Sequence, residues 1–102
     1  MAITSTVTAR ISGNPREAIA WALDLANYLK ENFNDSTRVL TRIGGPSGLI
    51  VWVSATENLA AFEEVGQKLQ TDSGYQERID QAVEKGLFDP ATIETAIWTD
   101  LG

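Results

Sequence analysis

The sequence contains no cysteine and no histidine, and basic residues are scarce: 8 Lys and Arg stand against 14 Asp and Glu, a formal net charge of −6. Each shortage removes a class of chemistry. Without cysteine there is no disulfide, no thiolate nucleophile and no thiolate zinc or iron–sulfur site. Without histidine there is no imidazole ligand for a metal or haem, no histidine general base and no Ser-His or Cys-His pair. A pI near 4.4 argues against nucleic acid, whose phosphates need a basic surface. No apolar run approaches the roughly 20 residues that span a bilayer; the longest compact one, Leu49 to Val53, is strand-sized. The N-terminus lacks a basic stretch followed by a long apolar run, so no signal peptide is expected. The absences together predict a soluble, cytoplasmic protein with no metal, no cofactor and no contact with nucleic acid or membrane.

What is present suits one domain of 102 residues, with a radius of gyration of about 13 Å. Residues 3 to 11 alternate, with Ile3, Ser5, Val7, Ala9 and Ile11 on one face and Thr4, Thr6, Thr8 and Arg10 on the other. Period two with β-branched residues predicts a strand, broken by Gly13. Asn14-Pro15-Arg16-Glu17 combines an N-cap, a proline at the first helical position and an acidic residue three places after the cap. The helix it opens should run to about Phe33, with Ala18, Ile19, Ala22, Leu25, Ala26, Leu29 and Phe33 on its apolar arc. Trp21 and Tyr28 sit at one margin of that arc, as an exterior contact stripe or as cover for the helix layer.

Thr37 to Ile43 and Gly48 to Val53 predict a hairpin around Gly44-Gly45-Pro46-Ser47-Gly48. That glycine cluster lacks the Gly-Lys-Ser/Thr ending of a phosphate loop and precedes a strand rather than a helix. Ser54-Ala55-Thr56-Glu57 matches a capping box. Its helix should bury Leu59, Phe62, Val65, Gly66 and Leu69, leaving Glu57, Glu63 and Glu64 in solvent. Ser73 and Gln76 can start a further helix that ends at Gly86. Residues 91 to 101 alternate like a strand. Asp89-Pro90 could instead open a helix, but dense Thr and Ile favour strand.

Strand, helix, strand, strand, helix, extra helix, strand is the order of a ferredoxin-like α+β sandwich with a four-stranded antiparallel sheet. The helices are expected over Ile3, Val7, Ile11, Val39, Ile43, Leu49, Val51, Val53, Ile93, Ile97 and Leu101. The open face would then carry Thr4, Thr6, Thr8, Arg10, Arg38, Leu40, Arg42, Ile50, Trp52, Ser54, Thr92, Glu94, Ala96 and Trp98. Such a mixture of aromatic, apolar and charged groups predicts an interface, most economically a homodimer in which two sheets face each other.

The segment Gly48-Leu49-Ile50-Val51-Trp52-Val53-Ser54, followed by Asn58-Leu59-Ala60-Ala61-Phe62, Leu69 and Asp72-Ser73-Gly74-Tyr75-Gln76, resembles the dimeric α+β barrel superfamily, especially its NIPSNAP-like members. The resemblance covers most of the chain in element order. It implies a homodimer with a central barrel and a cavity in each subunit, but no single reaction. Relatives include haem-degrading and antibiotic-biosynthesis monooxygenases, cyclases and isomerases. The haem-degrading type uses an Asn, a Trp and an axial His; with no histidine here, that activity does not transfer.

Arg42 and Glu94 are the sharpest polar pair on the expected open face, and Arg10 and Arg38 can join them. Arginine there can hold a carboxylate or enolate, and Glu94 can act as acid or base. The same two residues can equally form a structural salt bridge at the interface. Trp52 and Trp98 would wall an aromatic pocket or fill the dimer core, Thr6 and Thr8 would offer hydroxyls, and Tyr75 would face a pocket mouth or anchor its helix. Three functions follow: a small-molecule-binding homodimer; a cofactor-independent monooxygenase, isomerase or cyclase acting on a small organic acid or polyketide-like substrate; or an interaction homodimer with a filled interior.

Overall fold

A computed structural model describes residues 2–45 and 48–101. The order is β1 (Ile3–Ile11), α1 (Pro15–Phe33), β2 (Arg38–Thr41), β3 (Leu49–Thr56), α2 (Leu59–Thr71), α3 (Ser73–Glu84) and β4 (Phe88–Thr99). The strands form one antiparallel sheet in the order β2-β3-β1-β4, which is the ferredoxin-like α+β arrangement. The hairpin between β2 and β3 is present, although Pro46 and Ser47 of its turn lie outside the described residues. No helix among the described residues is long and apolar enough to cross a membrane.

Local chemistry explains most boundaries. The Asn14 side chain accepts from the amides of Arg16 and Glu17 at 3.0 and 3.1 Å, satisfying two of the unpaired donors of α1. Asn34 closes that helix in the left-handed region at φ 51°. Helix α2 starts later than the Ser54 capping box predicts. β3 runs on to Thr56, and Asn58 caps α2 by accepting from Ala61 N at 2.8 Å. Ser54 is held in the strand because its hydroxyl pairs with Thr37 Oγ1 at 2.8 Å. Asp89-Pro90 opens no helix. The Asp89 carboxylate accepts from Ala91 N and the Thr92 hydroxyl donates to Asp89 O, building a bulge in β4 opposite Thr8 to Arg10. Proline is tolerated there because β4 is an edge strand.

The register reverses the expected phase of β3. Val7 pairs with Trp52 and Ala9 with Ile50, so Ile50, Trp52 and Ser54 lie under the helices. Leu49, Val51 and Val53 are on the open face, opposite Arg10, Thr8 and Thr6. The uniformly apolar run 49–53 carries no polarity to set its phase. Packing sets it instead: Ala22 of α1 is fully buried, and the space its small side chain leaves takes the indole of Trp52. Its Nε1 donates to Ala22 O at 3.4 Å. Trp21 and Phe88 close around it, with ring centroids 5.5–6.0 Å apart in tilted and edge-on arrangements. Trp21 is therefore half-buried against the core, and its own Nε1 donates to Arg78 O at 2.8 Å. Two residues expected beneath the helices, Ile43 and Leu101, lie beyond the strand ends and are exposed.

A polar clasp ties α3 to α1. Asp72 caps α3 by accepting from Tyr75 N at 2.8 Å, and the same carboxylate oxygen accepts from the Tyr28 hydroxyl. Arg78 lies 4.0 Å over the Tyr28 ring and pairs with Asp24 at 2.8 Å. Gly74 makes the close approach possible, since a Cβ there would come within 2.7 Å of Tyr28 Cζ. The hydrogen bond to Asp72, then burial, raise the Tyr28 pKa.

Three outcomes follow from this packing. Trp52→Ala should cost about 3–5 kcal/mol in urea unfolding, as for a large buried aromatic. Asp72→Ala should cost about 1–2 kcal/mol through the lost cap. A raised phenol pKa stabilises the native state below the ordinary tyrosine value near 10, and the gain is lost as pH rises through the native value. Tyr28→Phe should therefore be less stable than wild type at pH 7, with the gap closing above pH 10 in urea titrations.

Candidate functional site

Between the sheet and the helices lies a cavity of about 430 Å³, within the range typical of small-molecule sites. The aromatic wedge fills the space only at one end. Beyond Trp52 the sheet offers short side chains: Ser5 faces Ser54 across β1 and β3, and Thr37 and Thr56 flank them. The roof is α2, which has no fully buried residue; Phe62, Val65 and Leu69 are half-buried over the void. Val83 and Ile93, 76% and 53% exposed, mark the open side along β4.

Gly66 belongs to this roof. It sits inside α2, where glycine costs about 0.8–1.0 kcal/mol relative to alanine. A Cβ there would meet nothing within 4 Å. Gly66 is exposed at the border of the cavity, and no packing contact accounts for the glycine.

The lining is largely apolar, with hydroxyls from Ser5, Thr37, Ser54, Thr56 and Thr95. Tyr75 also lines it, and burial raises its pKa. Among the described residues Asp35 is the one charged side chain in the lining, and the one residue with a buried side-chain polar atom, Oδ1, left without a hydrogen bond. Asp35 falls in the loop between α1 and β2, in a stretch that reads in sequence only as a polar turn.

The sequence-predicted site residues divide between two surfaces. Trp52 and Tyr75 reach the cavity, and Trp52 does so from the helix side rather than from the open face. Arg10, Arg38, Thr6, Thr8, Glu94 and Trp98 are on the open face by register. Arg42, just past β2, lines a shallower depression there with Thr6, Thr8, Leu40, Leu49 and Val51. Trp98 Nε1 donates to Thr6 Oγ1 at 3.1 Å. Arg42 and Glu94 belong to opposite edges of the sheet, about 14 Å apart across three strand spacings. One protomer therefore does not bring them together. Asp35, Ser5, Ser54 and Gly66 escape sequence reasoning because only the register and the loop path gather them.

No family model and no curated protein matches the chain. Solved structures do. A NIPSNAP family protein from Agrobacterium tumefaciens superposes with a TM-score of 0.79 at 18% identity, covering 100% of this chain and 97% of its own. An uncharacterised NIPSNAP domain protein from Burkholderia xenovorans gives 0.80 at 16% identity, covering 98% and 95%. SnoaB, a cofactor-independent oxygenase from Streptomyces nogalater, gives 0.67 at 15% identity, covering 99% and 94%. The chain thus has the ferredoxin-like α+β fold of the dimeric α+β barrel proteins, NIPSNAP proteins and antibiotic-biosynthesis monooxygenases among them.

Proposed function

We propose that this chain is a small-molecule-binding protein whose ligand occupies the cavity beneath α2. The observation that carries the reading is Gly66: a helix-interior glycine borders a void of about 430 Å³ and no packing contact requires it. Nile red, a neutral apolar dye, provides the test. Gly66→Ala should raise stability by about 1 kcal/mol in urea unfolding. Gly66→Phe should keep the far-ultraviolet circular dichroism of wild type and lose dye binding. Equal dye binding by wild type and Gly66→Phe would overturn the reading.

The open sheet face supports a second element of the proposal, a homodimer joined through it. Val51 and Val53 stand at its centre, Leu40 is 43% exposed and Trp98 58% exposed. Arg38 and Arg42 are at one edge and Glu94 at the other, an arrangement complementary to itself under a two-fold axis. On this reading Arg10, Arg38, Arg42, Thr6, Thr8, Glu94 and Trp98 serve the interface. Light scattering at micromolar concentration should give twice the 11.1 kDa chain mass. Val51→Lys, which places a charge at the centre of the contact, should give the monomer. A monomeric wild type would sink the proposal.

The likeness in fold to SnoaB, together with Asp35 and Tyr75 as acid–base groups in the lining, supports a catalytic variant of the first reading. The cavity would then host a cofactor-independent oxygenation, isomerisation or cyclisation. Conversion of the bound molecule, followed by mass spectrometry and oxygen uptake, separates catalysis from simple binding.

A further inference from the structure

The charges of the open sheet face stand at fixed levels along the strands. Leu40 pairs with Val51, Val51 with Thr8, and Thr8 with Glu94. One row therefore crosses the sheet from Leu40 at the β2 edge to Glu94 at the β4 edge. Arg38 and Arg42 lie two residues to either side of Leu40, each about 7 Å away along the strand. Arg42 keeps to the line of β2, since its amide donates to Leu49 O at 3.3 Å. Glu94 thus stands at the level midway between two arginines, at the opposite edge of the sheet. All three side chains are exposed. Among the described residues the ion pairs are Lys68 with Glu64 and Arg78 with Asp24, so none of the three has an ionic partner in its own protomer. Between the arginine levels the face carries a depression of about 400 Å³, lined by Arg42, Leu40 and Thr8 among others.

We infer that a second copy docks on this face with the two-fold axis parallel to the strands, so that the partner's Glu94 enters the depression between Arg38 and Arg42. The inference rests on the homodimer reading above and fixes its orientation. A two-fold axis lying in the interface along the strands keeps each residue's level and exchanges the edges. β4 of one copy then covers β2 of the other, and Glu94 comes down level with Leu40. An axis across the strands would keep the edges instead, setting arginine against arginine and glutamate against glutamate. Facing sheets lie about 10 Å apart with their strands within about 30° of alignment. Arginine and glutamate side chains reaching from opposite sides span that gap. Guanidinium groups above and below the carboxylate donate to it, and the symmetry makes the contact twice. Arg10, nearer the axis, has Asp89 opposite it in its own sheet.

Charge exchange tests the orientation, with dimer dissociation measured by analytical ultracentrifugation of the whole chain at pH 7. Glu94→Arg sets a third guanidinium between two others and should raise the dissociation constant about a hundredfold or more. Arg42→Glu leaves Arg38 in place and should raise it about tenfold. Mixed in equal amounts, the two variants should form the heterodimer in preference to either homodimer, seen by native mass spectrometry. In that heterodimer one contact is Arg42 with the partner's Glu94 and the other is the same pair reversed. The double variant, with both changes in one chain, should dimerise within about tenfold of wild type. It keeps the test open even if a single variant folds poorly, which circular dichroism reports. A Glu94→Arg dimer as tight as wild type, or a mixture without preference for the heterodimer, would overturn the orientation and leave the homodimer reading intact. A monomeric wild type would remove both.

Discussion

Trp52 stands on β3 beneath α1, wedged against Trp21 and Phe88, and α1 comes close to it where Ala22 presents almost no side chain. That contact sets the height of the helix layer above the sheet. At the Trp52 end the height is filled by three aromatic rings. Towards Ser5, Ser54 and Thr37 the sheet surface drops to short hydroxyl side chains, while α1 and α2 continue above it. The two ends of one layer cannot both be close-packed when one is spaced by indoles and the other floored by serine. The void follows from that mismatch, and Gly66 borders it.

Charge is distributed with the same asymmetry. The chain is acidic overall, yet three of its arginines gather on or beside the open sheet face. The cavity on the other side of the same sheet holds one carboxylate. Alternation along a strand is enough to produce this separation, because neighbouring residues point to opposite faces. Arg38 and Val39 are adjacent in sequence, and one joins the polar face while the other packs against the aromatic core. The two faces can therefore carry different duties with little interference.

Much of the architecture was legible in the sequence. The caps at Asn14 and Gly86, the period-two pattern of β1 and the dense Thr and Ile of β4 lead directly to the element order and the sheet. The phase of β3 was not legible. Leu49 to Val53 is apolar on both sides, and only the paired hydroxyls of Thr37 and Ser54 and the space over Ala22 decide which side turns inward. That one undetermined phase moved Trp52 from the open face to the core and separated it from Arg42, Glu94 and Trp98. The cavity was half legible: Trp52 and Tyr75 were candidates, whereas Asp35 looked like any residue of a polar turn. Its burial arises from the path of the α1–β2 loop, which no local pattern encodes. The Ser54 capping box failed for a related reason, since sheet pairing with Ser5 held the residue in extended backbone.

One of the two central strands of the sheet, β1, precedes every other element described. β1 pairs on one side with β3 and on the other with β4, the last element, so that Ile3 lies opposite both Thr56 and Thr99. Contacts this distant in sequence raise the contact order and slow the search for the native topology. During synthesis β1 has neither neighbour until residue 49 has emerged, and one of its edges stays bare until β4 follows. An unpaired, threonine-rich strand awaiting its partner is a ready template for another chain. The alternating polar face of β1, with Thr4, Thr6, Thr8 and Arg10, makes that waiting strand less adhesive than an apolar one would be. The residues that line the sheet's open face in the finished protein thus also protect the nascent chain before the sheet exists.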